Sequence, residues 1–247
     1  MKTLLQEQLY FYHNQLTLVM ILAWLSIVCI GCFLSNNQYK KYISYCLITF
    51  ALLQEVLDYC NRFFFDHAYV VSWQVDLPLQ FCHFGFYFSL LGIIIAIEEK
   101  NNSKIEQFLF DCAYVLGFAG ALQAMITVDL TGVYNRIGVY TLNWQHSLII
   151  LNVLWLIFAY NKKFTIRSIF RAFLFMNIII FPIGLINYIL DANYMFLCKP
   201  PNISSFFFIG KWPIYILWIE LFYFIYVVIL YIPFKIAESF QKKQKSF

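Results

Sequence analysis

Charge is what this sequence has least of. Acidic and basic side chains make up only 12% of its 247 residues, where a soluble domain carries about 25%, so a water-exposed globule is excluded. No internal repeat and no low-complexity linker divides the chain, which therefore reads as a single domain over residues 1–247. There is no Gly-x-Ser-x-Gly elbow and no phosphate-binding loop, which removes two widespread signatures of hydrolases and nucleotide binders. The 4 histidines are scattered without paired ligand spacing, against a zinc site; no metal and no cofactor is expected. Short alternating apolar segments are missing too, so a β-barrel is not an option. No cleavable signal peptide is expected, because the first apolar run begins after Gln15 and offers no small-residue cleavage site.

What is abundant is hydrocarbon. Hydrophobic residues are 62% of the chain and the mean hydropathy is +0.70. They gather in blocks long enough to cross an apolar core of ~30 Å, which takes ~20 helical residues. Seven blocks can be drawn: Leu16–Leu34, Tyr42–Cys60, Leu77–Ile97, Ile105–Val128, Trp144–Tyr160, Ser168–Leu190 and Trp212–Ile232. Helix is the remaining way to satisfy a spanning backbone. The expected fold is all-α, a polytopic integral membrane protein of seven transmembrane helices. Ala113, Gly117 and Ala121, four residues apart, make a small-residue face for close helix packing. Seven cysteines cannot all pair within the chain, and Cys29-Ile-Gly-Cys32 lies inside an apolar block, so its redox-like spacing reads as packing.

Lysine and arginine set the orientation. Lys40, Lys41, Lys100, Lys104, Lys162, Lys163, Arg167, Arg171, Lys235, Lys242, Lys243 and Lys245 fall on one side, twelve against five (Lys2, Arg62, Arg136, Lys199 and Lys211) on the other. The positive-inside rule then places the N-terminus outside and the C-terminus in the cytoplasm. The net charge of +4 follows from this pattern and gives no reason to expect a nucleic-acid partner. The stretches 61–82, 127–146 and 191–213 all face outward on this topology, and a site should open there.

Ionisable groups inside spans are costly and usually face a bundle interior or a wet cavity. Glu55 and Asp58 lie on the second block, Asp129 closes the fourth after Gln123 and Thr127, His146 opens the fifth, and Glu220 lies on the seventh. Gln54, Asn152 and Asn177 read as interhelical hydrogen bonds, whereas the shared depth of Glu55, Asp129 and His146 points to a common polar cavity. Asp129 is placed either to orient His146 or to cap a helix end. Pro182, between Asn177 and Asn187, predicts a kink.

The stretch Trp73–His83 concentrates the chemistry. Pro78 suits the first turn of a helix and Asp76 its cap, which sets Cys82 about one turn inside, near the positive end of the helix dipole. Taken alone, Cys82 is as readily a small buried apolar residue. With His146 at the same depth it becomes one half of a Cys–His pair able to form a thioester. His83 is a rival base, but adjoining residues on one helix do not face each other.

Three stretches together resemble the YwaF-like family of integral membrane proteins. Leu77-Pro78-Leu79-Gln80-Phe81-Cys82 resembles its Leu-Pro-Leu-x-x-Cys motif, and the stretch from Gly120 through Gln123 to Asp129 and Leu130 its second motif. Asn193 to Pro200, followed by Ser204, Gly210 and Trp212-Pro213-Ile214-Tyr215, is similar to the third, and His146 stands where the family has a histidine opening a span. His83, Val128 and Lys211 depart from the family pattern. An animal relative moves polyunsaturated acyl chains between phospholipids. The resemblance implies a lipid acyltransferase or acyl hydrolase of a bacterial cytoplasmic membrane, with a phospholipid or lysophospholipid as substrate. Cys82 would accept the acyl group and His146 act as base. Gln80, Gln123, Asp129, Asn193, Tyr194, Lys199 and Trp212 would support the site, with Glu55 in the polar cavity. Lys199 could hold a lipid phosphate, Asn193 and Tyr194 line the outer mouth, and Tyr194 and Trp212 anchor at headgroup depth. The competing class is a transporter or ligand-binding protein with a polar path, for which Pro182-Ile183-Gly184 would mark a broken helix. A passive scaffold is the third.

Overall fold

The structure, a computed structural model, describes residues 2–98, 104–200 and 208–244. Of the residues singled out above, Lys100, Ser204 and Lys245 lie outside these, as does the side chain of Lys2. The described residues form helices and connecting turns and contain no strand. Among the described residues six helices are long and apolar enough to cross a membrane. The helix that carries Cys82 is shorter, 17 residues, or about 25 Å at the helical rise.

By packing, the chain divides into two units, residues 1–72 with 81–162, and residues 73–80 with 163–247. The first unit is built from α1 (Lys2–Phe33), α2 (Asn37–Cys60), α3 (Phe81–Ile97), α4 (Lys104–Leu116), α5 (Leu122–Ile126) and α6 (Arg136–Phe158). α1 begins well before the apolar block that Leu16 opens. Leu9, His13, Met20 and Ile27 recur at helical spacing and are buried, and Leu9 packs on Leu130 and Val139, so the polar-looking first turns have a face to cover. Asn36 caps α2 by accepting the Gln38 and Tyr39 N–H groups. The buried residues of α2 are Ser44, Leu47, Ala51, Gln54 and Asp58, a single stripe with steps of three and four.

α6 is the centre of this unit, its inner residues buried along nearly its full length. Against it the small residues expected on the fourth block are enclosed: Ala113 and Ala121 are fully buried, and a methyl group on Gly117 would come within 3.0 Å of Ile149. Such close approach is how helices associate where lipid removes the hydrophobic drive. Between α4 and α5 the helix widens into a π turn, Gly117–Ala121.

The second unit holds α7 (Ile166–Leu190) and α8 (Ile214–Gln244). Thr165 and Ser168 form a capping box at the start of α7. Pro182 lies inside α7 without ending it, so the helix runs unbroken through Pro182-Ile183-Gly184 and supplies no interrupted segment. Asn177 donates to Glu220 across the two helices, which is the structural role expected of Asn177. In the first unit Gln54 donates to Thr141 O at 2.9 Å and Asn152 to Ser89 Oγ at 3.1 Å, in the same manner.

Candidate functional site

α3 starts at Phe81, later than Pro78 and Asp76 predict. A tight turn stands where the helix start is expected. Leu79 N–H bonds back to Leu77 O at 2.7 Å, a three-residue turn centred on Pro78, whose fixed φ suits that position as well as it suits a helix start. Asp76 therefore does not cap α3, and Cys82 is the second helical residue, closer to the free N–H groups of the helix end than expected. Its side chain is half-buried and faces Gly120 in the π turn; a Cβ there would lie 3.5 Å from Sγ. Gly120 itself places no side chain against the sulfur.

The first unit also gathers a polar interior around α2 and α6. Tyr87 Oη and Gln145 Nε2 donate to the two carboxylate oxygens of Glu55 at 3.1 and 3.3 Å. One turn on, Asp58 accepts from Thr141 Oγ1 at 2.7 Å and pairs with Arg62 at 2.7 Å. Asn135 donates to Asn61 at 2.9 Å, closing the end of the group. His146 is buried and its Nδ1 meets Leu142 O at 2.7 Å. As a donor there, Nδ1 would leave Nε2 as the basic nitrogen. The imidazole lies within electrostatic reach of Asp58 and His13, and His83 within reach of Arg62 and His146. Among the described residues no hydrogen bond joins Cys82 to His146, and the buried Nδ1 of His83 has no hydrogen-bond partner among them. No group of three or more His, Cys, Asp and Glu among the described residues has the geometry to hold a metal.

Asp129, expected in this group, and Gln123, expected to support the site, lie elsewhere. Asp129 is exposed and its carboxylate accepts the Thr131 N–H at 2.9 Å, a local turn contact, with no hydrogen bond to His146 among the described residues. Gln123 is exposed as well and donates to Thr127 Oγ1 at 3.2 Å. In the polar interior the acid beside His146 is Asp58. His13, Tyr87 and Gln145 were not singled out from sequence. For His13 the signal was present, since it shares the buried stripe of Leu9 and Met20.

The remaining candidates belong to the second unit and mostly hold main chain. Tyr194 is fully buried, not a headgroup anchor. Its hydroxyl donates to Trp73 O at 2.7 Å and accepts Leu77 N–H at 2.9 Å. Burial raises the phenol above its ordinary pKa, opposed by the Leu77 N–H, so it keeps its proton near neutrality. Gln80 Oε1 accepts Met195 N–H at 2.9 Å. Asn193 Oδ1 accepts the Cys198 and Lys199 N–H groups, both at 3.0 Å, and so shapes its loop. Trp212 is exposed, with Nε1 donating to Leu197 O at 3.0 Å. Lys199 is exposed.

The family model of the TMEM164 family matches residues 9–231, most of the chain. No curated protein and no solved structure matches it.

Proposed function

The chain belongs to the TMEM164 family, and on that premise we propose that it is an intramembrane lipid acyltransferase, or acyl hydrolase, that uses the Cys82 thiol. The chemistry comes from the resemblance of the Leu77–Cys82 and Asn193–Pro200 stretches. The observation that supports it best is the setting of Cys82: in the first turn of an apolar helix, against a glycine that leaves the sulfur room. His146 Nε2 takes the thiol proton, Sγ attacks the ester carbonyl of a phospholipid, and the acyl C–O bond breaks. The imidazolium returns its proton to the departing lysolipid oxygen. The hydroxyl of a second lysolipid, or water, then attacks the thioester, gives its proton to His146, and frees the thiol. The first N–H groups of α3, which a helix leaves without intrahelical partners, would hold the oxyanion.

His146→Ala is expected to lower transfer of a labelled acyl chain from phospholipid to lysolipid by roughly 10²–10⁴-fold, the usual worth of a general base. His83→Ala is expected to cost less, and equal losses would move the base to His83. The topology that goes with this reading has seven spans in a bacterial cytoplasmic membrane, with the N-terminus outside. Reporters fused to the two termini check it: both on one side would overturn it.

The polar interior favours one second reading, a solute-binding or transport protein with Glu55, Asp58 and His146 along its path. Uptake in proteoliposomes that survives thiol alkylation, with no lipid turnover, would select it.

A further inference from the structure

Two of the stretches that carry the family resemblance are hydrogen-bond partners within the second unit. Tyr194 Oη bridges Trp73 O and Leu77 N, and Gln80 Oε1 holds Met195 N. The three bonds engage the first, fifth and last residues of the Trp73–Gln80 segment, which otherwise has turns and no regular helix. Cys82 follows two residues later.

The platform behind this grip is over-determined. Asn187 Oδ1 accepts Tyr194 N–H at 2.8 Å and Asn187 Nδ2 donates to Tyr194 O at 3.0 Å, both buried. Met195 and Phe196, neither a glycine, are held in the left-handed region at φ 57 and 54, a conformation that persists only where surrounding contacts enforce it. Tyr215 Oη donates to Phe196 O at 2.7 Å and supplies part of that enforcement. A buried aromatic that served packing alone would not need its hydroxyl. Here both the donor and an acceptor of the phenol are spent on the main chain of one segment.

We propose that Tyr194 is a positioning residue for Cys82: with Gln80 it locks the Trp73–Gln80 segment, and the lock sets where the thiol stands at the entrance of α3. A phenylalanine at 194 would fill the same space but leave Trp73 O and Leu77 N without their partner. The segment would then loosen, and the thiol would move with it. The inference builds on the reading of Cys82 as acyl acceptor, and its test keeps the two apart.

The test uses the full-length protein in detergent, with iodoacetamide as probe and mass spectrometry of the Cys82 and Cys112 peptides. Tyr194→Phe is expected to raise the alkylation rate at Cys82 about tenfold, the worth of roughly two ordinary hydrogen bonds. Cys112, in the core of the first unit, should react as in the wild type. Thioester formation on Cys82 from labelled phospholipid should fall by a similar factor. Gln80→Leu gives the same pattern by an independent route, and Gln80→Glu, which keeps an acceptor at that reach, restores it. An unchanged Cys82 rate overturns the lock, as does faster reaction of Cys82 and Cys112 alike, which would mean general loosening. A wild-type protein that forms no thioester removes the acyl-acceptor reading, while the alkylation contrast still decides the lock.

Discussion

Cys82→Ala is expected to abolish acyl transfer, with turnover of labelled phospholipid falling by three orders of magnitude or more, roughly what loss of a nucleophile costs elsewhere. The intact mass of wild-type protein quenched during turnover should show one added acyl group, and the variant none. Cys82→Ser separates two possibilities. A hydroxyl holds its proton far more tightly than a thiol, so the serine variant should be slow, forming an oxygen ester that accumulates. The other six cysteines serve as internal controls, since Cys29, Cys32 and Cys46 are exposed on helix surfaces and Cys112 is buried. Full transfer by Cys82→Ala would end the nucleophile assignment and leave the family and the helical body untouched.

The largest expected effect on stability lies elsewhere in the first unit. Lys162 Nζ meets Glu106 Oε1 at 2.6 Å, with the two side chains only 10% and 4% exposed. Asn161 takes the left-handed conformation, φ 55, which turns Lys162 back so that its N–H reaches Leu156 O at 3.0 Å and its ammonium reaches Glu106. Removing one member of a buried pair costs about 3–5 kcal/mol, because the other charge loses this partner in a low-dielectric setting. Glu106→Gln or Lys162→Met should each lower the thermal midpoint of detergent-solubilised protein by an amount on the order of 10 °C. The double variant Glu106→Leu with Lys162→Met should recover most of the loss, because replacing a buried pair by apolar groups of similar volume is often neutral. If the double variant falls as far as the sum of the single ones, the pair is not acting as a pair.

Lys162 also shows where reading the chain alone stops. As a basic residue at the end of an apolar block it looks like a topology signal. Its buried carboxylate partner stands on a different helix, and nothing in the local pattern of either residue announces the other. The start of α3 is a similar case. Proline fits both the first turn of a helix and the centre of a tight turn, and the choice fell to the turn once Tyr194 and Met195, far along the chain, supplied partners for the segment before Cys82. Asp129 and Asp58 make the point for the site. Both are carboxylates near the end of an apolar block, and only the packed structure shows that Asp58 is turned inward against α6 while Asp129 is exposed on a turn.

Composition and block length were enough to determine the helical, membrane-spanning character of this chain, because a long apolar run has no other way to pair its backbone in hydrocarbon. They also brought Cys82, His146 and Glu55 into view, since a polar or reactive side chain stands out against such a background. Tertiary structure alone decided which of them meet. Helices tell their residues which face they share but not which neighbour that face will touch, and the interior acid, the strap before the thiol and the buried ion pair are all contacts between segments distant in sequence.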